Sequence, residues 1–212
     1  MKTKNYKIPF IFFYYFLKIL LGMSVFVSFI RQDWENLFFT LAIFLLTFLP
    51  TLIKKRYRIY IPIEFDFFVV SFIFLSLFLG EIYDYYNKIW WWDLYLHTQA
   101  GFLLGMFGFL LVYILNEQRN FSLKLSPRFV SLFAFTFAIT AGVVWEIFEF
   151  FMDQAFGLNM QKSGLVDTMW DLIVDVIGAG AISIIGYFWQ KNKINFSWLE
   201  NSITEILKST KD

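Results

Sequence analysis

Two trios of acids and a single histidine are the residues here most able to do chemistry. Glu146, Glu149 and Asp153 stand at i, i+3 and i+7, and Asp167, Asp171 and Asp175 at i, i+4 and i+8. On helices each trio shares one face. Asp93 and His97 are four residues apart, Glu81 and Asp84 three, and His97 is the sole histidine. Cysteine is absent, which removes thiolate ligands, disulfides and cysteine nucleophiles. Carboxylates held close together cannot all ionise uncompensated. The compensation is either shared protons or a bound cation. A donor set rich in oxygen with one imidazole suits Mg²⁺, Mn²⁺ or Ca²⁺, and His97 keeps Zn²⁺ and Fe²⁺ open.

The expected metal ligands are therefore Asp93, His97, Glu146, Glu149, Asp153, Asp167, Asp171 and Asp175, around a divalent ion of open identity. His97, Asp93 and Glu149 are the candidate catalytic groups, with His97 as the proton shuttle because imidazole titrates near neutral pH. Glu81, Asp84, Gln161, Trp92 and Trp145 are candidate substrate contacts. A plainer reading stands beside each. Acids near span ends, such as Glu81, Asp84, Asp153 and Asp167, are often solvated at headgroup level, and a lone histidine is often structural.

The elements that must position these residues are membrane helices. Of the 212 residues 58% are hydrophobic, 23% aromatic and only 17% charged. A soluble domain carries about 25% charged residues, so a soluble enzyme, a disordered chain and a nucleic-acid binder are excluded. A span needs about 20 apolar residues. Six segments qualify, near Phe10 to Ile30, Trp34 to Ile53, Pro62 to Tyr83, Trp92 to Asn116, Arg128 to Phe156 and Asp167 to Gln190. The alternation of a β-barrel is absent. The N-terminal apolar run is too long for a signal-peptide core and no small-x-small site follows it, so it reads as a retained span. The expected fold is all-α: a polytopic membrane bundle forming a single domain over 1–212, with a short amphipathic tail from about 194 to 212.

Charge orients the chain. Fourteen of the 18 basic residues fall on one side, including Lys54, Lys55, Arg56, Arg128 and Lys191. The positive-inside rule then puts both termini in the cytoplasm. The other side has eleven acids against Arg31, Lys88 and Lys162, a formal balance of −8. Acids do not set topology, so this excess needs another cause. Lys18 lies within the first span and is expected to snorkel or pair. Glu149, Asp171 and Asp175 are too deep to face lipid cheaply and should face the bundle interior or a wet cavity. Gly101, Gly105 and Gly108, and Ala179, Ser183 and Gly186, form small-residue stripes suited to close helix packing. Trp90, Trp91 and Trp92 suit an interfacial belt. No phosphate loop, nucleophile elbow, zinc-protease helix or di-iron Glu-x-x-His signature occurs.

Three motifs resemble the YjdF-like family of bacterial inner-membrane proteins. They are Trp92-Asp93-Leu-Tyr-Leu-His97 with Gly101; Trp145-Glu146-Ile-Phe-Glu149 with Asp153; and Gln161 with Asp167-Thr168-Met-Trp170-Asp171, Asp175 and Gly178. The match covers the third span to the sixth, roughly half of the chain. The Asp-x-x-x-His element is also distantly similar to VanZ-like membrane proteins. The resemblance implies a polytopic protein of the bacterial cytoplasmic membrane and supports the choice of residues, but supplies no reaction.

Three functions fit. The first is a metal-dependent hydrolase-like enzyme acting on a lipid or cell-envelope substrate at the outer membrane face. The second is a non-catalytic assembly or binding protein. The third is a cation or proton transporter, which the gathering of acids at one end and the lack of an evident repeat disfavour. Membrane lipids are the expected partners, nucleic acid is not, and a protein partner is left open.

Overall fold

The computed structural model describes residues 7–57, 63–117 and 125–191. The amphipathic tail expected at about 194–212 lies outside the described residues. Among those residues every element is helical and none is a strand. Six helices are long and apolar enough to cross a membrane: Lys7–Ile30, Trp34–Arg56, Ile63–Ile82, Trp92–Val112, Pro127–Phe156 and Leu165–Gln190. The described residues divide into two compact units, one ending at Trp90 and the other beginning at Trp91.

In the first unit α1 (Lys7–Ile30) packs against α2 (Trp34–Leu46) and α4 (Ile63–Ile73), with α3 (Leu49–Tyr57) between α2 and α4 in sequence. Leu21, Ile43, Phe74 and Phe78 form its apolar core. Asp33 caps α2 by accepting from the Asn36 backbone N–H at 3.2 Å. The Asn36 side-chain and backbone hydrogen bonds hold the Asp33 carboxyl below its usual range. The second span breaks between α2 and α3 because Pro50 has no N–H to donate to Leu46 and its ring crowds that carbonyl. The third span opens into a π-helical stretch, Phe74–Ile82, closed by Tyr83 N–H donating to Phe78 O at 3.2 Å. The short α5 (Tyr85–Lys88) follows Asp84, whose φ is +61°. Lys18 does not snorkel. It is buried, donates to the Tyr14 hydroxyl at 2.6 Å, and lies 4.0 Å from the centre of the Phe48 ring.

In the second unit α6 (Trp92–Glu117), α7 (Pro127–Phe156) and α8 (Leu165–Gln190) pack against one another pairwise. Ser126 caps α7 by accepting from Phe129 N–H at 3.3 Å, with Pro127 in the first turn where no N–H is needed. Gly157 ends α7 in the left-handed region, φ +67°, a conformation an L side chain resists. Of the expected small-residue stripes, Gly101 and Gly105 face α8 and Gly186 faces α6, and Gly178, outside both stripes, joins this seam. A Cβ at Gly178 would collide with the Thr98 carbonyl oxygen, and one at Gly101 with that of Asp175. Gly108 lies against Ala134 of α7. In lipid, where no hydrophobic drive joins helices, such close backbone approach supplies the packing.

Candidate functional site

The second unit gathers its acids where the first turns of α6 and α8 meet the last turns of α7. His97 is the hub. Its Nδ1 lies 3.5 Å from Asp175 Oδ2, and its Nε2 lies 3.7 Å from Glu146 Oε1 and 3.9 Å from Asp93 Oδ1. Asp175 in turn abuts Gly142, where a Cβ would strike its Oδ2, so a glycine on α7 makes room for this carboxylate. An Nδ1–H donated to Asp175 leaves the Nε2 lone pair facing Glu146. This is the orientation that a second carboxylate imposes on a metal-binding imidazole.

Two groups of donors could each hold one ion. One atom each from His97, Glu146 and Asp171 lie within 4.8 Å of one another, and so do one each from Asp93, Asp167 and Asp171. The first group is fully buried. Both Glu146 oxygens, Asp171 Oδ1 and Asp175 Oδ1 are buried without a hydrogen-bond partner. Thr168 stands beside Glu146 but not in bonding geometry. Burying a carboxylate oxygen without a donor costs several kcal/mol, so a proton or a cation must stabilise these groups.

The remaining candidates have other partners. Glu149 is buried and accepts from Trp145 Nε1 at 2.9 Å, so Trp145 orients an acid while half of its surface stays exposed. Asp153 lies outside both donor groups. Its Oδ1 accepts from Met160 N–H at 2.7 Å and its Oδ2 from Gln161 N–H at 2.9 Å, which ties the loop after α7 back onto the helix. Gln161 Nε2 donates to Thr168 Oγ1 at 2.7 Å, giving the loop a second anchor on α8. Trp92 is buried against Trp91 and Tyr95 and offers no free stacking face. Glu81 and Asp84 belong to the first unit and are exposed, and Asp84 accepts from Asn87 Nδ2 at 2.6 Å.

Sequence reasoning counted Lys162 only as one of three bases on its side. Its Nζ lies 3.0 Å from Asp93 Oδ2, and its backbone N–H donates to Asp167 Oδ2 at 3.1 Å. Nothing in local spacing couples residue 162 to residue 93, because the contact is made only when α8 packs on α6. Gly142 was missed for the same reason.

A helical membrane protein with a buried carboxylate–histidine cluster is the class that this fold and site define. The chain belongs to the family described as predicted membrane protein (DUF2238), whose model matches residues 12–192. An uncharacterized protein of Thermotoga maritima is 32% identical over 183 residues, spanning 86% of this chain and 92% of the relative. No solved structure matches.

Proposed function

We propose that this chain is a divalent-cation-dependent enzyme of the bacterial cytoplasmic membrane that hydrolyses a lipid or cell-envelope substrate. Both termini face the cytoplasm in this reading and the cluster lies toward the outer face. The YjdF-like relationship is its finer family assignment, resting on the motifs around His97, Glu149 and Asp171. The observation that carries the proposal is the convergence of His97, Glu146 and Asp171 within 4.8 Å, with Glu146 buried and its oxygens unpartnered.

His97 Nε2, Glu146 and Asp171 would hold the ion. When bound, it would supply Lewis acidity and a water acidic enough to react near neutral pH. Asp175 fixes the imidazole through Nδ1, 3.5 Å away. Glu149, held by the Trp145 indole, is the nearby carboxylate best placed to take a proton. Helices α6, α7 and α8 exclude bulk water from His97, Glu146 and Asp171, which strengthens every charge interaction among them.

The test is elemental analysis of protein purified in detergent without chelator, then resupplied with Mg²⁺, Mn²⁺, Ca²⁺ or Zn²⁺. Glu146→Gln and Asp171→Asn are purified in parallel and checked for helicity. Stoichiometric metal in the wild type and loss of the ion at His97 from both variants is the expected result. Absence of metal from the wild type under every condition would sink the reading and leave shared protons to stabilise the acids. A bound metal together with unchanged envelope lipids and no hydrolysis in Glu149→Gln and wild type alike would favour a binding or transport role.

A further inference from the structure

We infer that the cluster is built for two cations sharing Asp171, and that the Lys162 ammonium is the resident cation of the second position. The inference rests on the metal reading above and extends it. Asp171 belongs to both donor groups, is 1% exposed, and has an oxygen with no hydrogen-bond partner. Its carboxylate lies within 4.8 Å of donor atoms of His97 and Glu146 in one group and of Asp93 and Asp167 in the other. A carboxylate in that position serves two cations better than one.

The second group already holds a positive charge. Lys162 Nζ sits on Asp93, and the Lys162 backbone N–H sits on Asp167, so this residue touches two of the group's three members. Its placement is enforced from the backbone. Asp153 anchors residues 160 and 161, and Gly157 and Gly164 turn the loop with φ of +67° and +64°. A lysine ammonium is a compact charge on a flexible stem with no fixed fork. It can neutralise the acids without a metal and swing aside for one, while the backbone donor at Asp167 stays in place.

Charge supports the demand for more than one ion. Among the described residues, the basic side chains set against the six acids Asp93, Glu146, Glu149, Asp167, Asp171 and Asp175 are Lys162 and His97. One divalent ion still leaves the set negative if the acids are ionised. A second ion must displace or share space with the lysine, so its affinity is set by Lys162 and not by the acids alone.

Mn²⁺ is the probe, because it suits oxygen ligands and its paramagnetism reports on neighbours. Calorimetric titration of the full chain should show one tight and one weak ion in the wild type. Lys162→Gln, which keeps the backbone donor, should bind the second ion about tenfold tighter and leave the first unchanged. Asp93→Asn should lose only the second ion, and Glu146→Gln only the first. Independently of any variant, the electron paramagnetic resonance of wild type saturated with Mn²⁺ should show an exchange-coupled pair. One Mn²⁺ per chain in both wild type and Lys162→Gln, with an isolated-ion spectrum at saturation, overturns the inference and leaves the single-metal reading standing. No bound Mn²⁺ in either protein removes both.

Discussion

His97 presents each ring nitrogen to a different part of the bundle, and that division is what makes Asp175 matter. Asp175 lies outside both donor groups, so on the proposed metal reading it would act on the ion through the ring. Asp175→Asn keeps the shape beside Gly142 but weakens the acceptor at Nδ1. Mn²⁺ affinity should fall about 10- to 100-fold, the range seen when such supporting contacts are removed. A chelator-competition titration measures it. Nitrogen NMR of the imidazole should show the Nδ1–H tautomer becoming less dominant, a change that general loosening of the helix would not produce. Unchanged affinity and tautomer would remove Asp175 as a positioning residue. At this scale the identity of the acids was legible from spacing, while their division of labour was not. Asp153 repeats the helical spacing of Glu146 and Glu149, yet α7 ends at Phe156 and the loop folds back onto it. Asp153→Ala should therefore raise protease cleavage within 157–164, since losing two amide acceptors costs about 1–3 kcal/mol of local stability. Metal affinity at His97 and Glu146 should stay within about threefold, because their positions come from helix packing. A large loss of the tight ion in this variant would make Asp153 part of the metal centre.

Helix pairing in the second unit depends on individual glycines, and two neighbours on α8 separate packing from propensity. Gly178 faces the α6 backbone at Thr98 and Phe102, whereas Gly180 meets only the Phe135 ring, 3.8 Å from the place of a Cβ. Gly178→Ala should destabilise by about 1–3 kcal/mol, because a backbone carbonyl cannot yield as a side chain can. Gly180→Ala should be neutral or slightly stabilising, since alanine favours the helix by up to about 1 kcal/mol. Thermal unfolding in one detergent compares them, and equal melting temperatures would refute the seam. The six spans were legible because hydropathy over about 20 residues is a strong signal. Breaks within spans were weaker signals. The interruption before Pro50 follows from a missing donor, and proline position alone did not reveal it. The π-helical stretch Phe74–Ile82 carries no proline at all, and glycine appears in it only at Gly80, where the Tyr86 ring presses close.

Within the second unit, the basic residues Arg128 and Lys191 and the acid cluster fall at opposite ends of α7 and α8. The sequence reads as a single domain, and the boundary of the two compact units falls between Trp90 and Trp91, inside a tryptophan run that looks like an interfacial belt and carries no linker signal. Orientation comes from other residues. Lys54, Lys55 and Arg56 lie in the last turn of α3, Arg128 begins α7, and Lys191 follows α8. The loop 157–164 and the acids beside it lie at the opposite ends of α7 and α8 from Arg128 and Lys191. Basic residues near span ends resist translocation, so the α3, Arg128 and Lys191 ends should be cytoplasmic and the loop outside. The absence of cysteine makes single-cysteine labelling clean. Asn159→Cys and Lys55→Cys both introduce an exposed thiol. In intact cells a membrane-impermeant maleimide should label position 159 and reach position 55 only after permeabilisation. The reverse pattern would place the acids at the cytoplasmic face. Metal binding would survive that result, but a cell-envelope substrate would not, because the groups proposed to act on it would lie on the wrong side of the membrane.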